Sequence, residues 1–467
     1  MPIGDIEYTP LWQDVKATVY SGPKQVKFDY FVMVHTEQGD FNVFKLITLE
    51  DECDYANMIG SNVNLQFQVG LGDYLLRLYP FRANLEVSIK KVPQLETGGT
   101  DMEKDVSVVR YKAILKPGKN VEPTGTRITD HDYQTLNTSN LVDVFIELQD
   151  RNFEPLRLKT FPGGTFTNLT VKDIMTVCVF GESKNVLVDG AVPVDGIDIV
   201  EPDNTARIPY LIMPNMKAAM IPTYLQERSL GVYNAGLGTF YQRYKDKSYW
   251  YIYSLFNPER FDEDVDRMVF FAMPKERFPG IDRTYRQEGK ITYVVVTGDR
   301  GYTDSGDLTD VNEGIGFRMP DANAMMKKPV VMTEQGPKAD RARLNTEVAG
   351  RKRADGNIFA PVVTNSANPY RLYSQLACRQ LARVDVVWEN SDPDLIYPGM
   401  PCKYVFMDKE EYKELKGIIV YKYSCHSLVG RPVVSSTYRT STQVTIMLEQ
   451  FMDPPPEQPT MNAPGKF

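Results

Sequence analysis

Val384-Asp385-Val386-Val387-Trp388, Lys403-Tyr404-Val405-Phe406, Gly417 to Leu428 and Gln443-Val444-Thr445-Ile446-Met447-Leu448 are the segments on which the fold turns. In the last of them Val444, Ile446 and Leu448 fall on one side of an extended chain, and Gln443, Thr445 and Met447 fall on the other. That two-residue period predicts a strand. Tyr397-Pro398-Gly399-Met400-Pro401 separates two of the runs as a turn, with Pro fixing φ and Gly permitting a positive one. Ahead of them, Asn368-Pro369 predicts a helix start, since Asn caps free N–H groups and Pro suits the first helical position. Tyr373, Leu376, Ala377 and Leu381 then recur at helical spacing. A short helix feeding alternating strands is the expected C-terminal domain, and nothing in it has the look of an active site.

Working outward, residues 1–160 read as one further β-domain. Val26, Phe28, Tyr30, Val32 and Val34 oppose Lys27, Asp29 and Met33, and Val63, Leu65, Phe67 and Val69 alternate with Asn62, Asn64, Gln66 and Gln68. A helical turn is expected at Gly72–Arg77, ended by Pro80, with strands at Leu85–Ile89, Val106–Leu115 and Val144–Leu148. Residues 161–264 change texture and predict a mixed α+β middle. Thr170-Val171-Lys172-Asp173 is a near capping box, with Ile174, Met175 and Cys178 inward and Gly181 as the stop. Pro222–Arg228 reads as a second short helix and Tyr249-Trp250-Tyr251-Ile252-Tyr253 as an aromatic strand. Residues 265–298 return to strands and join 356–452 in the last domain. Between them, 299–355 is a long extension of little periodicity whose Arg351, Lys352 and Arg353 make a local basic patch. The Pro-rich tail 453–467 cannot join a sheet.

Composition excludes several functions. At ~150 residues per domain, 467 residues predict about three domains with ample core. The net charge of −8 argues against affinity for phosphate backbones. No apolar run approaches the ~18 residues of a membrane helix, so no membrane insertion is expected. The start, Met-Pro-Ile-Gly-Asp-Ile-Glu, lacks the basic and apolar regions of a signal peptide, so folding in a cytoplasm is expected. Cys53, Cys178, Cys378, Cys402 and Cys425 are scattered, without zinc or dithiol spacing, and read as small buried apolar residues. His35, His131 and His426 are as dispersed. The expectation is no catalytic residue, no metal and no cofactor.

Two clusters test that expectation. Glu259, Asp262, Glu263, Asp264 and Asp266 crowd one turn, and Asp304, Asp307, Asp310 and Glu313 another. Glycosidases hold two carboxylates across a cleft in unlike environments, whereas sequence-adjacent loop acids repel and stay solvated. The aromatic strand at 249–253 fits a glycan platform or, more simply, a core with subunit contacts.

The order of elements from 355 to 452 resembles the C-terminal barrel of the baseplate hub proteins of contractile-tail phages, and Tyr79-Pro80-Phe81-Arg82-Ala83-Asn84-Leu85-Glu86 is similar to a stretch of phage tail hub sequences. The resemblance implies a fold that is mainly β with short helices, two tube-protein-like β-barrels flanking a mixed middle. It implies a non-enzymatic virion protein, a homotrimer whose six barrels match the sixfold tail tube above. The central spike protein would bind below, the C-terminus of the tape-measure protein would fill the channel before DNA ejection, and wedge proteins would sit alongside. No fused lysozyme domain is visible. Ile418, Val420 and Lys422 in one strand, and Gln443, Thr445 and Met447 in the next, are the expected inter-barrel contacts, with Arg351, Lys352 and Arg353 as a docking arm. A wedge or tube-completion protein, or a glycan-binding tail protein, is the alternative.

Overall fold

The computed structural model describes residues 10–20, 27–94, 108–120, 140–184, 194–228, 230–244, 247–273, 283–297, 381–408, 411–430 and 437–449, with the backbone of five short strands between 303 and 347. The chain is mainly β with short helices, and two barrels flank a mixed middle. Helix α1 (Pro10–Tyr20) precedes β1 (Phe28–Thr36), β2 (Gly39–Asn42), β3 (Lys45–Asp54), β4 (Asn62–Gly70), β5 (Leu85–Pro93), β6 (Val108–Leu115) and β7 (Leu141–Asp150). The middle holds β8 (Thr160–Phe161), β9 (Gly164–Phe166), β10 (Gly196–Ile199), β11 (Leu211–Met213), β12 (Met216–Lys217), β13 (Leu237–Tyr244) and β14 (Lys247–Ser254). Then come β15 (Arg267–Met273), β16 (Tyr285–Glu288) and β17 (Ile291–Thr297). The short strands are β18 (Thr303–Asp304), β19 (Arg318–Met319), β20 (Val331–Thr333), β21 (Gly336–Lys338) and β22 (Thr346–Glu347). The chain closes with β23 (Leu381–Glu389), β24 (Pro401–Asp408), β25 (Glu411–Leu428) and β26 (Tyr438–Glu449).

In the first barrel the wall runs β3-β4-β7-β6-β5-β1. Alternation in β4 and β7 sends Val63, Leu65, Phe67, Val69, Val144, Ile146 and Leu148 inward, where they meet Val32, Val34, Val87 and Ile89 in one core. The turn Leu71–Asp73 continues as a π-type turn Tyr74–Leu78, as the sequence predicts, and drops Tyr74 and Leu78 into that core. Between β1 and β3 the wall has a seam, bridged by the Val43 N–H to the Val32 carbonyl at 3.3 Å. The second barrel closes completely as β23-β17-β15-β24-β25-β26 and back to β23. Its interior is filled by Met268, Phe270, Val294, Val296, Val386, Trp388, Ile418, Val444, Ile446 and Leu448, so it is packed rather than hollow.

Numbering the six wall strands of each barrel in chain order reveals a shared plan. Both walls run first, fourth, fifth, sixth, third, second: β1-β5-β6-β7-β4-β3 in one and β15-β24-β25-β26-β23-β17 in the other. One direction differs, because β15 lies parallel to β24 whereas β1 lies antiparallel to β5. The barrels thus repeat one topology within a single chain.

The middle packs the helices Val171–Met175 and Ile221–Arg228 against the sheet β10-β14-β13. Thr170 and Asp173 form the capping box read from sequence, each side chain accepting from the other's backbone N–H. Asp173 is held below the ordinary carboxylate range by the Thr170 hydroxyl and then by the Thr170 backbone N–H. Gly181 does not stop the helix: a π-type turn Thr176–Gly181 runs on through Glu182–Lys184. The buried Ser183 hydroxyl donates to the Val179 carbonyl and accepts from the Trp250 indole, which holds the extra turn in place.

One further expectation changes, and two placements add to it. Leu381 opens strand β23 opposite Glu449 and is not part of a helix, while residues 368–380 lie outside the described residues. Strand β26 is buried on both faces over its second half, Thr445 and Met447 as well as Val444 and Ile446. Thr445 donates to Asp385, and the 3-10 turn Pro258–Asp262 lies over this wall. Finally α1, the first element in the chain, packs on the second barrel, with Leu11, Val15 and Val19 against Val269, Phe271 and Val405.

Candidate functional site at the junction of the two barrels

Strand β25 belongs to both barrels. From Glu411 to Ile418 it pairs with β24, and from Tyr421 to Ser427 it pairs antiparallel with Asp54 to Thr48 of β3. The change of partner falls on an irregularity between Ile419 and Tyr421, where Val420 is the extra residue. Its carbonyl accepts the Tyr55 N–H at 3.0 Å, so the bulge leaves no orphaned acceptor. The strand's length of 18 residues makes this possible, since its first half pairs with β24 while its second half, paired with β26 on one edge, leaves the other edge to β3. Because the outer edge of β3 is taken by β25, β1 cannot pair there, and the seam of the first barrel follows.

Two lysines cross this junction. Lys422 Nζ lies 3.2 Å from Asp51 and donates to the Pro393 carbonyl at 3.4 Å. Burial works against its ammonium, but the net direction is upward, with the Asp51 carboxylate beside it, so Lys422 stays charged. Lys91 Nζ, from β5, reaches Asp392 at 2.7 Å and Asp394 at 2.5 Å in the loop after β23. Burial alone would lower Lys91, yet Asp394 and Asp392 reverse this and hold it above the ordinary lysine range. Burial raises the Asp392 carboxyl despite Lys91, whereas for Asp394 the Lys91 charge outweighs burial and the direction is down. The middle sheet ties in as well: Gln242 donates to the Ile396 carbonyl at 2.7 Å and accepts from Tyr55 at 3.1 Å, and the Tyr253 hydroxyl donates to the Tyr55 carbonyl at 2.7 Å.

These groups surround a cavity of about 560 Å³ at the meeting point of barrels and middle, bordered by Tyr30, Tyr111, Asp150, Tyr241, Asp394 and His426. Burial pushes His426 down to about 4, so its imidazole is neutral, with Nδ1 on Thr440 at 2.8 Å and the ring stacked on Tyr438. Burial likewise pushes the Cys53 thiol up, which removes it as a nucleophile. Among the described residues, no group of three His, Cys, Asp or Glu could hold a metal ion. The arrangement ties the two barrels by paired backbone and paired charge.

The residues expected at inter-barrel contacts are placed as follows. Ile418, Val420 and Met447 are buried in the second barrel's core, and Thr445 is buried on its wall. Lys422 reaches across to Asp51 of the first barrel, as does the Val420 carbonyl to the Tyr55 N–H. Gln443 is exposed, opposite Val387 and Tyr423. Arg351, Lys352 and Arg353 lie outside the described residues. Sequence reading missed Lys91, Asp392, Asp394 and Asp51. The available signal was a lysine within an apolar strand, as in Val87-Ser88-Ile89-Lys90-Lys91-Val92, but it names no partner. The aromatic strand is core: Trp250, Tyr251 and Tyr253 are buried, and Trp250 stacks edge-on with Tyr241. A glycan platform on these rings has no exposed face. Among the described residues, no helix is long and apolar enough to cross a membrane.

No family model and no curated protein sequence matches the chain. Solved structures do. It is similar to a 43 kDa tail protein of prophage MuSo2 from Shewanella oneidensis, at 6% identity and TM-score 0.42, covering 90% of this chain and 96% of that one. It is also similar to a chain of the half-lidded Francisella PdpA–VgrG complex, at 10% identity and TM-score 0.37, covering 98% of this chain. There it spans 64% of the other chain's length. A third likeness is to the E. coli c3393 protein, described as a type VI secretion component with structural similarity to the T4 tail proteins gp27 and gp5, at 8% identity and TM-score 0.37, covering 93% and 76%.

Proposed function

We propose that this chain is a non-enzymatic structural protein of a phage-type tail, a baseplate hub subunit that joins a sixfold tube to a threefold spike. The observation that carries this reading is the repeat of one barrel topology within a chain, with the two copies sharing strand β25. A trimer of such chains presents six similar barrels in a ring while keeping threefold symmetry below, which is what an adaptor between those symmetries requires. Fusion through a continuous ladder and buried ion pairs fixes the angle between neighbouring barrels, so each chain is a rigid third of the ring. The net charge of −8 suits a channel through which DNA slides without adhering.

In this reading the partners are the tail-tube protein, the central spike protein, the tape-measure C-terminus and adjacent wedge proteins, within the virion after assembly in the host cytoplasm. Exposed Gln443 remains a candidate contact, and Arg351, Lys352 and Arg353 a candidate arm toward an acidic neighbour. Light scattering at several concentrations, followed by electron microscopy of the same sample, tests the proposal. A stable trimer with six densities around a central hole is the expected result. A strict monomer that stays monomeric with spike protein added would instead favour a peripheral wedge component.

A further inference from the structure

The outer faces of the two barrels are finished differently. On the second, α1 lies across β15, β17 and β24, the first, second and fourth wall strands, and its Leu11, Val15 and Val19 cover apolar residues there. On the first barrel the corresponding strands are β1, β3 and β5, and no described helix covers them. Phe31, Phe44 and Val108 are 41%, 65% and 50% exposed, with Met33 exposed beside them. The register places Phe31 opposite Lys90 and Lys90 opposite Val108, so one mixed row crosses the outer face. The row opens into a groove of about 1290 Å³ along the seam between β1 and β3. On that side Phe28–Phe31 of β1 has no strand partner among the described residues, since the Val43 N–H reaches only Val32 and β2 pairs from Met33 onward. Apolar side chains and an unpaired strand edge together are what soluble folds ordinarily cover.

We infer that this groove is the face on which a second copy of the chain docks, an inference that rests on the ring-forming reading above. The charge pattern selects the occupant. Lys90 borders the groove with Lys45 and with Arg110, which pairs with Glu86 at 3.7 Å, and Asp29 is the single carboxylate in the groove's lining, in a chain whose net charge is −8. The rest of the surface is therefore acidic on balance, and another copy offers a complementary face. The same pattern fixes the mode of contact. Two grooves facing each other across a twofold axis would oppose Lys90 and Arg110 to their own copies, and like charges at such a contact are repelled. The groove must meet a different, acidic surface of the next copy, and a heterologous contact of that kind closes into a ring when its rotation is a third of a turn.

The test uses the full chain, light scattering over a concentration series, and three substitutions at exposed positions. Phe44→Glu and Lys90→Glu alter the groove, while Ile212→Glu alters an equally exposed apolar residue on β11 of the middle. Circular dichroism melts confirm that each variant folds. The expected result is a trimer for the parent chain and for Ile212→Glu, with dissociation of both groove variants shifted to at least about tenfold higher concentration. If both groove variants keep the parent's trimeric mass at every concentration, the groove is not the interface, and the hub reading survives without it. A parent chain that forms a twofold dimer, or no oligomer, overturns the inference together with the ring.

Discussion

Replacing Lys91 with Met tests whether the barrels are held by paired charge at their junction. Lys91 and Asp392 have side chains only 15% and 12% exposed, with N and O 2.7 Å apart. Removing one partner of such a pair leaves a desolvated charge behind, which costs about 3–5 kcal/mol. The Asp394 contact adds little, because that carboxylate is 67% exposed and open pairs contribute about 0–1 kcal/mol. Asp392 has an escape, since burial already raises its carboxyl and losing Lys91 raises it further, so it can bind a proton. The expected deficit is therefore about 3 kcal/mol at pH 7, shrinking as the pH falls and lost only well below about 4, where Asp392 is protonated in folded and unfolded chains alike. Urea unfolding followed by tryptophan fluorescence measures it, with Trp388 reporting the second barrel's core and Trp250 the middle. Lys91→Met combined with Asp392→Asn removes both charges and should recover about 2 kcal/mol of the deficit. A single substitution costing under about 1 kcal/mol, or a double whose cost equals the sum of the singles within about 0.5 kcal/mol, would refute the reasoning.

Other consequences are as direct. His426 is lowered to about 4 by burial, against about 6.5 unfolded, so the unfolded chain binds the proton first. Stability should fall between pH 6.5 and 4 by up to about 3 kcal/mol, and His426→Gln should flatten that slope in unfolding titrations. Gly399 sits at φ 71°, and a Cβ there would lie 2.5 Å from the Tyr253 ring, so Gly399→Ala should cost about 2–4 kcal/mol by thermal unfolding. Thr170→Ala removes the capping box and should cost about 1 kcal/mol, read as faster amide exchange in Val171–Met175 with the barrels unaffected.

Local physics made much of the fold legible. Alternation in Asn62–Gly70 and Leu141–Asp150 fixed which side chains are inside, because a strand's two faces are decided by its own sequence. The capping box at Thr170 is equally local, since its partners stand three residues apart. Strand β26 marks where this stops: Thr445 and Met447 alternate like solvent-facing residues, yet neighbouring elements cover both faces. Likewise Gly181 reads as a stop, but a buried contact between Ser183 and Trp250, 67 residues apart, carries the helix past it.

By itself, then, the sequence determined that this is a strand-built, acidic chain whose residues 249–253 form a strand. Tertiary structure decided everything that depends on remote partners. Nothing in Tyr421–Ser427 names Thr48–Asp54 as its neighbour, nor does Lys91 name Asp392 across some 300 residues. Strand edges carry the same backbone groups whatever their side chains, so which edges meet is settled only when whole barrels pack. The fusion of the barrels through β25, the seam that it leaves between β1 and β3, and the position of α1 on the distant barrel all follow from that packing.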